Sequence, residues 1–130
     1  MKKVASVGIG GAVGAICRHL IQMIPILGGE FYRPVLTMAI NISGSFLLGF
    51  LVILFVRLVP VSAELRTGIT SGVIGGYTTF STLCKETVFL FDSGYPLLSC
   101  AYLFFSVTIG LTAAWLGIRA AKRLERRFPA

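Results

Sequence analysis

From Val35 to Val56 the chain carries no charged side chain, and about 20 such residues suffice for an α-helix to cross the hydrocarbon core of a bilayer. This stretch reads as a membrane span and commits its surroundings to a membrane fold. Its polar residues, Thr37, Asn41 and Ser45, recur every four positions and share one helical face with Gly44 and, just beyond, Gly49. An amide in lipid requires partners, so Asn41 is either glue between helices or a donor facing a polar conduit.

The remainder of the chain agrees. Of 130 residues, 55% are hydrophobic and 13% charged, with a mean hydropathy of +0.87. That is more apolar surface than a soluble domain of this size can bury, which points to a single all-α integral membrane domain. Cys17, Cys84 and Cys100 all lie in apolar runs without the spacing of a metal or redox site, and are expected to be small packing residues. The net charge of +7 comes from basic residues that flank spans and do not interleave with exposed aromatics. It speaks for membrane orientation and against a nucleic-acid partner.

Four spans are expected, at about residues 4–27, 35–56, 65–91 and 95–118, followed by a basic tail over 119–130. In the first, Gly10 and Gly14 form a small-residue face for close helix contact. The glycines of this run resemble a dinucleotide fingerprint, but Val13 stands where the third glycine is needed and no βαβ pattern follows. Arg18 lies deep in the same span and should face a partner, the headgroups or an aqueous vestibule, of which the vestibule is preferred. A loop between Pro25 and Pro34 carries interfacial aromatics, and Ser62 is a plausible cap for the third span. In the fourth, Tyr102, Ser106 and Gly110 share a face, while Ala113, Gly117 and Ala121 form a packing seam.

The third span is the unusual one. Gly68, Gly72 and Gly76 recur at helical spacing, and Gly75-Gly76 is followed by Tyr77-Thr-Thr-Phe-Ser-Thr82. Each glycine costs a helix about 1 kcal/mol relative to Ala, and β-branched Thr78 and Thr79 add to the penalty. Either this is a glycine-rich packing face, or the helix breaks at the glycine pair and exposes carbonyls able to bind a cation. Lys85-Glu86, interrupting the apolar stretch, favours two half-helices.

Asn41-Ile-Ser-Gly44 together with Gly75-Gly-Tyr-Thr-Thr-Phe-Ser-Thr82, set in four short spans, resembles the Fluc (CrcB) fluoride channels over essentially the whole chain. The resemblance implies a passive fluoride channel and not an enzyme. It implies two antiparallel subunits and a central structural Na+ held by the backbone carbonyls of Gly75 and Thr78. It also suggests Asn41 and Phe80 as fluoride-pathway residues, with Ser81, Thr82, Tyr102, Ser106 and Thr112 as a polar track. For Phe80, ordinary core packing is the competing reading. Two positions depart from the family pattern: Leu83, where a second phenylalanine is usual, and Gly110, where a serine is expected.

A four-helix chain is too small to enclose both a core and a conduit, so dimerisation is expected on physical grounds too. Lys2, Lys3, Arg57, Arg66, Arg119, Lys122, Arg123, Arg126 and Arg127 fall on one side of the membrane, against Arg33 on the other. By the positive-inside rule both termini are cytoplasmic, in the cell membrane. So strong a bias suits pairing with an oppositely oriented homologue, with the homodimer as the alternative. A small multidrug-type exporter would want an acidic residue inside the first span, which is lacking here. A non-conducting structural subunit is the remaining alternative.

Overall fold

The computed structural model describes residues 1–24 and 32–127. Helix α1 runs Lys2–Gln22 and α2 Tyr32–Arg57. The third span comes in pieces: α3 (Ala63–Thr67), a π-helical stretch (Gly68–Ile74), α4 (Gly75–Tyr77) and α5 (Phe80–Asp92). Helix α6 follows, Pro96–Arg127. Among the described residues α1, α2 and α6 are each long and apolar enough to cross a membrane, and the segmented third span completes a multi-pass helical membrane protein.

Two helix limits differ from the expected ones. Helix α2 starts at Tyr32, ahead of Pro34, because proline is tolerated in a first turn that has no donors to lose. The basic tail is no separate segment: α6 continues without interruption through Arg119 to Arg127. The expected end of the first span near Leu27, the aromatic at Phe31 and the last residues, 128–130, lie outside the described residues.

Two packing seams hold the bundle, and both depend on missing Cβ atoms. A Cβ on Gly10 would overlap the carbonyl oxygen of Gly68, one on Gly14 that of Val73, and one on Gly76 that of Gly11. Backbone therefore touches backbone along α1 and the third span, as the glycine spacing predicted. On the other side α2 packs on α6, where Gly49 meets Ala114 and Gly117 meets Phe46. Where the chain must reverse between α5 and α6, Gly94 takes φ +88°, and the N–H of Tyr95 donates to the Leu90 carbonyl at 3.0 Å. That left-handed residue is the usual C-terminal stop of a helix, because glycine alone adopts it without steric cost. At the opposite end Ser62 caps α3 as expected, its Oγ accepting the Leu65 N–H at 3.2 Å.

The third span does break, but not at the glycine pair. Gly75 is helical, with φ −64° and ψ −35°, whereas Thr78 and Thr79 are extended, with ψ 157° and ψ 120°. Gly76 is present for contact with Gly11; the interruption falls instead on the β-branched threonines, whose side chains tolerate extended backbone. Lys85-Glu86 marks no boundary either, since α5 runs straight through it.

Candidate ion pathway and cation site

Asn41 holds the break open. Its Nδ2 donates to the Thr79 carbonyl at 2.9 Å, and its Oδ1 accepts the Thr79 N–H at 2.8 Å. In an unbroken helix that N–H would go to the carbonyl four residues earlier, Gly75. One step on, the Thr82 N–H goes to the Thr79 hydroxyl at 3.2 Å, a capping bond that replaces its bond to the Thr78 carbonyl. The carbonyls of Gly75 and Thr78 thus both lose their helical donors, and Gly75 is exposed on the surface of the subunit. Neutral oxygens left without donors are suitable ligands for a hard monovalent cation, so the residues present fit the expected Na+. Among the described residues no cluster of His, Cys, Asp or Glu offers another metal site.

Hydroxyls converge on the same point. Thr79 Oγ1 donates to Thr82 Oγ1 at 2.9 Å and lies 3.4 Å from Ser81 Oγ. This knot separates two concavities. On one side is a cleft of about 220 Å³ lined by Asn41, Gly44, Ser45, Leu48, Thr78, Thr79 and Phe80. On the other is a vestibule of about 440 Å³ lined by His19, Gln22, Met23, Arg33, Leu36, Thr82 and Glu86. Phe80 is 74% exposed on the single subunit, so its ring does not pack in the core of its own chain. Asn41 ties α2 to the break, and since an amide nitrogen carries two hydrogens, one remains beyond the bond to Thr79.

The polar track on α6 divides. Tyr102 and Ser106 are buried, and Ser106 Oγ has no hydrogen-bond partner among the described residues. Gly110 continues their line, and a Cβ placed on it would lie 3.7 Å from Ser45 Oγ. Thr112 lies apart from them, exposed, its hydroxyl bonded to the Thr108 carbonyl at 2.8 Å. Arg18 is half-buried on α1 and does not line the vestibule. The neighbouring His19, with Arg33 from the start of α2, occupies that position.

Sequence reasoning missed Glu86. Its carboxylate accepts from Thr37 Oγ1 at 2.9 Å and from Tyr102 OH at 2.7 Å, joining α2, α5 and α6 at the vestibule wall. Part of the signal was available, since an ionisable residue at membrane depth is a candidate functional residue by default; the pairing with Thr37 and Tyr102 is supplied by the fold. Leu83 is buried in the core with Leu90 and Tyr102.

The model of the CrcB-like protein, Camphor Resistance (CrcB) family matches residues 5–118. This chain belongs to the CrcB family. Curated CrcB-type relatives agree over nearly full length. The fluoride-specific ion channel FluC of Geotalea daltonii is 40% identical over 94% of this chain and 98% of its own. FluC 2 of Carboxydothermus hydrogenoformans is 45% identical over 86% of this chain and 81% of its own. FluC of Agrobacterium fabrum is 37% identical, covering 95% of this chain and 99% of its own.

Proposed function

We propose that this chain is a fluoride-specific channel that lets the ion run passively out of the cytoplasm, and that two subunits form the conducting unit. The observation that carries the reading is the hydroxyl knot of Thr79, Ser81 and Thr82, which stands between the vestibule and the Asn41–Phe80 cleft. Fluoride is small and strongly hydrated, so a pore must replace its water with hydrogen-bond donors without a fixed charge that would trap it. Hydroxyls and the second Asn41 N–H answer that need, and the positive edge of the Phe80 ring adds a weak anion contact. Arg33 offers an anion a cationic contact at the vestibule, while the Glu86 carboxylate on the same wall is held by Thr37 and Tyr102.

Gly75 and Thr78 would hold a structural Na+ through their carbonyls, shared with a second subunit. When bound, such a cation supplies positive potential beside the pathway and satisfies carbonyls that otherwise cost several kcal/mol each in lipid. Exposure of Gly75 and Phe80 on one subunit supports a partner that covers them. An antiparallel arrangement fits, with both termini of this chain cytoplasmic. The lopsided distribution of Lys and Arg favours an oppositely oriented homologue as that partner over a second copy.

Fluoride efflux from sealed proteoliposomes tests the proposal. Rapid downhill efflux, independent of a proton gradient, is the expected result. Efflux coupled to protons would indicate an exporter of the small multidrug type, and none at all a structural subunit. A topology reporter on the chain expressed alone separates the dimers: an even split of orientations with full conduction would favour the homodimer.

A further inference from the structure

The far end of α6 presents a second site that conduction does not use. Trp115, Ile118, Arg119, Lys122, Arg123 and Arg126 line a cleft of about 390 Å³. Their spacing puts all of them on one helical face, opposite the Ala113, Gly117 and Ala121 seam buried in the bundle. Four cations therefore stand together on the outside of the molecule. Glu125, the single acid between Arg119 and Arg127, is engaged elsewhere, bonded to Arg57 at 3.2 Å.

Depth identifies what such a face meets. Counted from Pro96 at about 1.5 Å per residue, a hydrocarbon core of about 30 Å is crossed by roughly Trp115. Tryptophan is the residue that marks this boundary, and Arg119 to Arg126 then pass through the headgroup layer. The Arg119 guanidinium sits 3.9 Å from the Trp115 ring centroid, a cation–π contact that orients it in advance. Like charges three and four positions apart repel along the helix, so an anion among them relieves a strain that the chain itself leaves uncompensated.

We infer that this face binds the phosphodiester headgroup of an anionic phospholipid, with Arg119, Lys122, Arg123 and Arg126 around the phosphate and Trp115 against the glycerol and upper acyl chain. Charge complementarity and depth together select a lipid over a soluble anion, which would lack the apolar contact with Trp115 and Ile118. The site is independent of the conduction reading and would hold whether or not fluoride passes.

Trp115 is the only tryptophan in the chain, so its emission reports on the site. The full-length protein in neutral detergent is titrated with dioleoylphosphatidylglycerol, with dioleoylphosphatidylcholine, or with inorganic phosphate. A saturable change with phosphatidylglycerol, absent with the other two, is expected. The combined variant Arg119→Gln, Lys122→Gln, Arg123→Gln should weaken it at least about tenfold, with fluoride efflux from phosphatidylcholine liposomes unchanged. Equal responses to both lipids, or a matching response to phosphate alone, would overturn the inference. So would a variant that keeps the lipid response but loses its dimer, since the face would then belong to the partner subunit. If the combined variant fails to fold, the comparison of the two lipids on the unmodified protein still decides, and Arg123→Gln alone gives a milder check.

Discussion

Asn41 and Thr79 form a two-bond clamp in which one side-chain amide takes both the backbone donor and the backbone acceptor of a single residue, at 2.8 and 2.9 Å. A side chain on α2 thereby substitutes for a turn of helix in the third span. Its amide is shared between holding the backbone open and facing the cleft, so a substitution there affects stability and transport together.

Asn41→Asp keeps the acceptor for the Thr79 N–H but sets a carboxylate oxygen against the Thr79 carbonyl. Loss of the donor at a buried polar group costs about 1–3 kcal/mol, and the fixed charge opposes an anion in the cleft. Fluoride flux should vanish and the melting temperature should fall. Proteoliposome efflux and thermal unfolding of the purified variant measure the two effects, and undiminished flux would remove Asn41 from the pathway.

Adjacent glycines should behave oppositely. A Cβ on Gly76 would overlap the Gly11 carbonyl, whereas one on Gly75 meets nothing within 4 Å of its own chain. Gly76→Ala should therefore disrupt the packing of α1 within one subunit. Gly75→Val should leave the subunit folded and weaken the dimer and its cation site, visible as monomer by light scattering in a sodium-containing detergent solution. A Gly75→Val protein that remains fully dimeric would argue against a partner over this surface.

The two departures from the family pattern also differ in what they permit. Space beside Gly110, with Ser45 Oγ at 3.7 Å from an added Cβ, makes Gly110→Ser stable, and the new hydroxyl extends the Tyr102–Ser106 line. Flux equal to or above that of the unmodified channel is expected. Leu83 is 5% exposed and packed on Leu90 and Tyr102, so Leu83→Phe overfills the core at a cost of about 1–3 kcal/mol, measurable by unfolding.

Glu86 accepts two hydroxyl donors, and the consequence of altering it depends on what replaces it. Glu86→Gln retains an oxygen acceptor, and hydroxyls can rotate to suit an amide, so stability should change little. Glu86→Ala leaves Thr37 and Tyr102 unpaired, with a loss of about 1–3 kcal/mol for each buried group. Chemical unfolding of the two variants side by side checks the order.

The sequence by itself determined the membrane class, the long apolar helices and the glycine seams. These follow from local quantities: apolar length against bilayer thickness, and the absence of Cβ atoms at helical spacing on Gly10, Gly14, Gly68 and Gly76. Only the tertiary structure decided where the third span breaks and which carbonyls it frees. The glycine pair has the poorer helix propensity, yet Gly75 stays helical and the chain opens at Thr78–Thr79. The reason is non-local: Asn41 lies 38 residues away in sequence and offers Thr79 both hydrogen bonds that a helix would have supplied. Which hydroxyls hold Glu86 was illegible for the same reason, because they lie on α2 and α6. A propensity belongs to one residue, whereas a satisfied buried polar group belongs to every helix that reaches it.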